Sequence, residues 1–343
     1  MAEKAVGKVP AGGAVASIEY RPYRGVEDDP VLLDIVRSSD AADGTSEIPC
    51  LEDIASFCRP TDRFMPERDL DLAFVAGSDG EPRPAGFSKR SWYSGYHGCP
   101  LYCQYSCLAG EWRHAGIWPR MVRRNEELLR SLHAERTGGA STEGAWLQAW
   151  SSDGERDWIA ALEGAGYELV RSFNNMRRST AGVTDLSLPA GIEVRPVEPS
   201  HLRKIWEVQR ELNLGVFECV EENWRDGRFE AWAKEAEGGT GLWQVAWAGE
   251  EVAGTVLAHY EEGHVGRGGL SRGFTEHIYV RPAWRGRGLA SALIARALRA
   301  LAKLGVEEAE LGVDSRNESS AFALYRKLGY ETESVDGWHR KPL

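Results

Sequence analysis

From Arg287 onward, apolar side chains fall at Leu289, Leu293, Ile294, Ala297, Leu298, Leu301 and Leu304. Steps of three, four and seven place them on one stripe of a helix, and Gly305 stops it. Upstream the period changes to two. LWQVAWA (242–248) reads as a strand, Gly249-Glu250-Glu251 as its turn, and EVAGTVLAHY (251–260) as the returning strand of a hairpin. The glycine-rich run 261–273 predicts a mobile loop. A strand over 274–280 then ends against Pro282, and AELGV (309–313) reads as a short buried strand. Asn317 sits where an N-cap belongs, ahead of a helix ending at Gly329.

The same marks occur earlier in the chain in the same order. Trp112-Arg113 answers Trp284-Arg285, Gly116 answers Gly288, and Ala165-Gly166-Tyr167-Glu168 answers Leu328-Gly329-Tyr330-Glu331. Each half also opens on a short alternating strand, SIEYRPY (17–23) and GIEVRPV (191–197). The pattern predicts a duplicated mixed α/β fold (α+β, with a mixed sheet). Its expected parts are a flexible N-terminus over 1–16, a first domain over 17–179, a linker over 180–190 and a second domain over 191–343.

At 343 residues the chain has room for two such cores. A hydrophobic fraction of 42% and a charged fraction of 27% are those of a globular protein. No run is long and apolar enough for a bilayer, and the first residues show no apolar core of signal-peptide length, so no membrane partner and a cytoplasmic location are expected. The net charge is −11, from 41 basic against 52 acidic side chains, and there is no basic stripe. That argues against nucleic acid.

The chemistry concentrates at Arg285-Gly286-Arg287-Gly288-Leu289-Ala290-Ser291. Small residues at 286, 288 and 290 let backbone N–H groups approach an anion at a helix N-terminus, and a pyrophosphate fits that description. The turn is neither a P-loop nor a Rossmann fingerprint.

Together with VRPAWRGRGLA (280–290) and NESSAFALYRKLGY (317–330), this turn resembles the acyl-CoA-binding motif [QR]-x-x-G-x-[GA] of the GNAT (general-control-related N-acetyltransferase) superfamily. The resemblance covers about 190–343 strongly and 17–179 weakly, as in a tandem layout also found in mycothiol synthase. It implies an acyl-CoA-dependent N-acyltransferase with acetyl-CoA as co-substrate and no metal. Arg285 to Ser291 would hold the pyrophosphate, and the strand around Ile278, Tyr279 and Val280 would splay from its neighbour to pair with the pantetheine. Asn317 matches the superfamily's asparagine. Tyr325 matches its tyrosine, which protonates the departing thiolate; an ordinary half-buried aromatic is the plainer reading. Glu276 is the candidate base, with a salt bridge or substrate contact as its alternative. Residues 274, 276, 278 and 280 are expected on one strand face, with His277 on the other.

The first half departs from the motif. Trp118 stands where Ala290 stands, Gln104 where Glu276 stands, Leu162 where Tyr325 stands and Gly154 where Asn317 stands. It is expected to be catalytically dead and to shape the acceptor pocket. Cys99, Cys103 and Cys107 are spaced by four, too far apart along a strand to converge on one zinc, and are expected to be structural. The acidic stretch 220–232 reads as a solvated helix face with Trp224 turned inward, bordering a site for a cationic amine. The expected acceptor is a small-molecule amine, and the expected state a monomer or weak homodimer. The alternatives are a non-catalytic acyl-CoA sensor and an acyltransferase fed by an acyl carrier protein.

Overall fold

Apolar alternation and the parallel crossovers build the same ladder twice. The computed structural model describes residues 17–343 apart from 45–48, 78, 96–98, 140, 215–223, 225, 263–264, 266–268 and 318–320. The expected flexible segment 1–16 lies outside these residues.

The first unit runs through β1 (Glu19–Pro22), α1 (Asp29–Asp43), α2 (Leu51–Phe57), α3 (Pro66–Asp69), β2 (Leu70–Ala76), β3 (Pro82–Ser94), β4 (Pro100–Leu108), α4 (Trp118–Thr137), β5 (Trp146–Ser152) and α5 (Arg156–Gly164). There follow β6 (Glu168–Ser179), β7 (Glu193–Val194), α6 (Leu202–Asn213), α7 (Asp226–Glu235), β8 (Gln244–Ala248), β9 (Glu251–His259), β10 (Arg272–Val280), α8 (Leu289–Lys303), β11 (Glu308–Asp314), α9 (Ala323–Lys327) and β12 (Glu331–Pro342).

In the first unit β1 to β4 pair antiparallel in sequence order, β4 lies parallel to β5, and β5 pairs antiparallel with Asp336–Pro342 of β12. In the second, β7 to β10 pair antiparallel, β10 lies parallel to β11, and β11 pairs antiparallel with Phe173–Ser179 of β6. The duplicated layout read from the motifs is therefore present as a duplicated strand order. A cut at 180–190 does not follow the compact units, however. Unit one takes in the chain up to Ser172 together with Asp336–Leu343, and unit two is built mainly from Phe173–Val335. The strand that closes each unit's ladder is drawn from the other half of the sequence, which alternation alone does not reveal.

In the second unit the stripe of α8 covers one sheet face, packing Leu289, Leu293, Ile294, Leu298 and Leu301 with Ala253, Val256 and Ala258 of β9. The opposite face carries Ile205 and Val208 of α6 against Val245, Trp247, Val252 and Leu257. The expected mobile loop 261–273 is shorter than its glycines suggest, because Arg272 and Gly273 already belong to β10. Arg272 is 2% exposed and paired with Glu308, Glu310 and Glu333 at 2.7–3.0 Å, so burial of its charge is compensated three times over and the strand start is fixed.

Candidate functional site

The second unit's site grows from two departures from a regular ladder. First, β10 and β11 pair only over Arg272–Phe274 with Glu308–Glu310, although β10 runs on to Val280 and β11 to Asp314. Past Phe274 the two strands part, as expected for the stretch around Ile278 and Val280. Second, the β9–β10 register shifts between Glu276, opposite Leu257, and Tyr279, opposite Thr255. His277 and Ile278 thus face one residue of β9, which is a β-bulge. His277 has φ 49°, the one non-glycine residue with positive φ among the described residues. Its carbonyl accepts a hydrogen bond from Thr255 Oγ1 at 2.9 Å.

The bulge overturns the expected alternation. Ile278 and Val280 pack into the α8 cluster. Glu276 lies opposite Leu257 on the α6 side, and there the Tyr279 hydroxyl donates to Asn213 Oδ1 at 2.7 Å. One extra residue has turned the strand's second half over. The His277 imidazole pKa is lowered, first by desolvation and further by His259, against the opposing pull of Glu276. Nothing in the sequence marks a bulge at a histidine, so Thr255 and Asn213 were not legible as site residues.

Tyr325, on α9, joins the α8 cluster at 7% exposure beside Tyr330, their rings 6.1 Å apart. The Tyr330 hydroxyl shares a 2.6 Å hydrogen bond with Thr275 Oγ1, which ties the end of α9 to β10. Burial pushes the Tyr325 phenol up to about 12, with Tyr279 acting in the same direction. Ile278, Val280, Leu289 and Tyr325 therefore share one cluster, while Glu276 and Tyr279 stand on the other face of the sheet. Asn317 closes a 3-10 turn over Ser315–Asn317; its side chain and residues 318–320 lie outside the described residues.

The turn before α8 is open. Gly286 (φ 72°) and Gly288 (φ 81°) adopt conformations that favour glycine, and a Cβ at either would meet no atom within 4 Å. Gly288 caps α8 without a side-chain hydrogen bond, so the first N–H groups of the helix, at Leu289, Ala290 and Ser291, face the turn without a side-chain acceptor. The Leu289 side chain is buried in the core, leaving only its backbone for a ligand. Arg287 lies over the Trp284 ring at 4.9 Å, and Arg285 Nε donates to the Val280 carbonyl at 2.9 Å; both arginines are exposed. That engages one of the backbone acceptors expected to meet a pantetheine.

The corresponding turn of the first unit faces inward. Arg113 is buried on Asp43 and reaches the Ser39 hydroxyl at 2.8 Å. Trp118 is 6% exposed and packs on Trp158, with ring centroids 5.2 Å apart. The indole thus enters the core instead of lying outward across the turn. Gln104 is buried too, donating to the Tyr167 hydroxyl and accepting from Asn125 Nδ2 at 3.1 Å. Leu162 is core. Cys107 is buried and its thiol is pushed up to about 12 by that burial, whereas Cys99 and Cys103 are half-buried. Among the described residues no group of three or more His, Cys, Asp or Glu could hold a metal ion, and no helix is long and apolar enough to cross a membrane. Trp224 packs on Trp206 at 4.6 Å, and residues 220–223 and 225 lie outside the described set.

Residues 203–330 match the model of the Acetyltransferase (GNAT) family. A mycothiol acetyltransferase of Kocuria rhizophila is 29% identical over 212 residues, 57% of this chain and 65% of that protein. The chain thus spans under two thirds of the length of that curated relative. Among solved structures, a GCN5-related N-acetyltransferase from Sphaerobacter thermophilus aligns with a TM-score of 0.75 at 22% identity, covering 96% of both chains. A tandem GNAT protein from the clavulanic acid biosynthesis pathway aligns with a TM-score of 0.67 at 16% identity, over 95% of this chain and 98% of that one. Residues 203–330 are thus similar to a GNAT domain, and the fold of the chain is similar to that of these tandem GNAT structures.

Proposed function

We propose that this chain transfers an acetyl group from acetyl-CoA to the amine of a small molecule, at the second unit. The observation that carries the reading is the parting of β10 from β11 beyond Phe274, beside a glycine turn whose helix N-terminus has no side-chain cap. An unpaired strand edge suits an amide-bearing arm. Uncapped N–H groups beside two exposed arginines suit a pyrophosphate, each such charge being stabilised by about 0.3–1 kcal/mol from the helix end. Arg285 to Ser291 would hold the phosphates, and the backbone of Ile278, Tyr279 and Val280 the arm.

Acetyl-CoA, when bound, supplies a thioester carbonyl carbon to which the amine nitrogen bonds as the C–S bond breaks. On the α6 side, Glu276 takes the proton the amine loses, directly or through water. On the α8 side, Tyr325 gives its phenolic proton to the leaving thiolate and recovers one from solvent. The two groups stand on opposite faces of the sheet, so on this reading the amine enters from one side and the thiol leaves on the other. A Tyr325 pKa of about 12 keeps the donor protonated at neutral pH. The acidic stretch 220–232 of the sequence favours a cationic acceptor.

The test is thiol release from acetyl-CoA across a panel of amines, with calorimetric titration of acetyl-CoA. Ala290→Trp, which sets an indole at a half-buried position in the first turn of α8, is expected to leave the fold intact and weaken acetyl-CoA binding at least tenfold. Unchanged binding in that variant, or two acetyl-CoA sites per chain, would overturn the assignment.

A further inference from the structure

His277 lies in the stretch of β10 that has already parted from β11, and it holds φ 49° there. A glycine takes that conformation freely, whereas a side chain is strained in it. The bulge needs only the backbone of this residue, because Thr255 Oγ1 donates to the His277 carbonyl and not to its ring. A strained residue kept at the edge of a gap points to a use for its side chain.

No structural bond accounts for the imidazole. Among the described residues neither ring nitrogen of His277 takes part in a hydrogen bond or an ion pair. The ring lies 6.3 Å from that of Tyr279, whose hydroxyl is held by Asn213 on the α6 side. Glu276 stands on that same side, opposite Leu257, and its carboxylate also has no hydrogen bond or ion pair among the described residues. The other titratable groups around the bulge are engaged. On β9 the His259 ring stacks on Phe274 at 4.8 Å, and on α6 Glu211 is paired with Arg281 at 2.8 Å. Glu276 and His277 are thus two adjacent proton acceptors, both unbonded, where β10 leaves its neighbour.

Taking as its premise that Glu276 receives the proton of the acceptor amine, we propose that His277 carries that proton onward. The imidazole accepts it from the Glu276 carboxyl, directly or through one water, and yields it to solvent. The proton leaves the carboxyl oxygen and bonds the bare ring nitrogen. The imidazolium then gives one proton to water, so both groups return to their starting forms. An ordinary carboxyl is about two pKa units more acidic than an ordinary imidazolium, so such a transfer runs downhill.

Two measurements on the full chain test the relay. Proton NMR follows the His277 C2–H signal, identified by its loss in His277→Gly. It should titrate below the ordinary histidine value of 6.5, and lower still in Glu276→Gln, where the pull of the carboxylate is gone. Identical titration in the two proteins overturns the proposal. Thiol release from acetyl-CoA is then followed with whichever amine of the panel the wild type acetylates fastest. His277→Gly relieves the backbone, so its Tm should hold or rise while turnover falls at least tenfold at unchanged acetyl-CoA affinity. Added imidazole should restore turnover severalfold in that variant and leave the wild type as it was, a response that a purely structural histidine does not give. Full turnover in His277→Gly, or a loss that imidazole does not restore, overturns the relay alone. Absence of thiol release from the wild type with every amine overturns the acetyl-transfer reading and the relay with it.

Discussion

The buried hydroxyl of Thr255 donates to the carbonyl of His277 at 2.9 Å, fixing the one non-glycine residue with positive φ among the described residues. Such a conformation costs of order 1–3 kcal/mol and persists where the surroundings hold it. Thr255→Val removes the donor and leaves a carbonyl unsatisfied, at a cost of about 1–3 kcal/mol. The expected outcome is a lower Tm and a turnover loss of about tenfold or more, because Tyr279 and Ile278 take their faces from this bulge. Steady-state kinetics and thermal melting check it; full turnover in a stable variant would separate the bulge from catalysis.

Tyr325→Phe should reduce turnover by about 10 to 100-fold, the range of a general acid, with acetyl-CoA affinity unchanged. The raised pKa fixes the pH behaviour. The phenol's contribution to stability is whole below pH 10, its unfolded value, and is lost as pH climbs towards about 12. The turnover deficit of the variant should therefore be flat from about pH 7 to 9, and a deficit that vanishes within that range would assign the thiolate's proton to another group.

Two arginines matched by the same motif should behave oppositely. Arg113→Ala strips a buried ion pair from Asp43 and should cost about 3–5 kcal/mol of stability, without change in acetyl-CoA affinity. Arg285→Ala touches an exposed side chain and should weaken acetyl-CoA several-fold at constant Tm. Parallel melting and titration of the two variants compare them directly.

Glu155 is held up to about 7, first by burial and further by Asp43, Asp336 and Asp40, while the Ser152 N–H works against the rise. A raised carboxyl contributes stability that is whole below pH 4.5 and fades as pH rises through 7. The wild-type Tm should thus fall between about pH 5 and 8 relative to Glu155→Gln. Parallel melting curves for the two proteins across that range would remove the effect from Glu155.

Much of this was written locally. The α8 stripe, the hairpin of β8 and β9, and the glycine turn depend on neighbours within a few residues, and each formed where its pattern lay. The misreadings were non-local. Arg272 belongs to a strand because three glutamates distant in sequence neutralise it, and Ile278 left the face of Glu276 because of one inserted residue. Trp118 was legible as a change at the turn, but its burial against Trp158 depends on a helix forty residues on.

The exchange of closing strands has a consequence for synthesis. Unit one is missing its β5 partner until Asp336–Pro342 has been made, roughly 160 residues after Ser172. At about 5–20 residues per second, the first half of the chain waits on the order of ten to thirty seconds with one sheet edge unpaired. The part translated first is the last to be completed, so a ribosome that stops short of β12 releases an open edge for another chain to pair with.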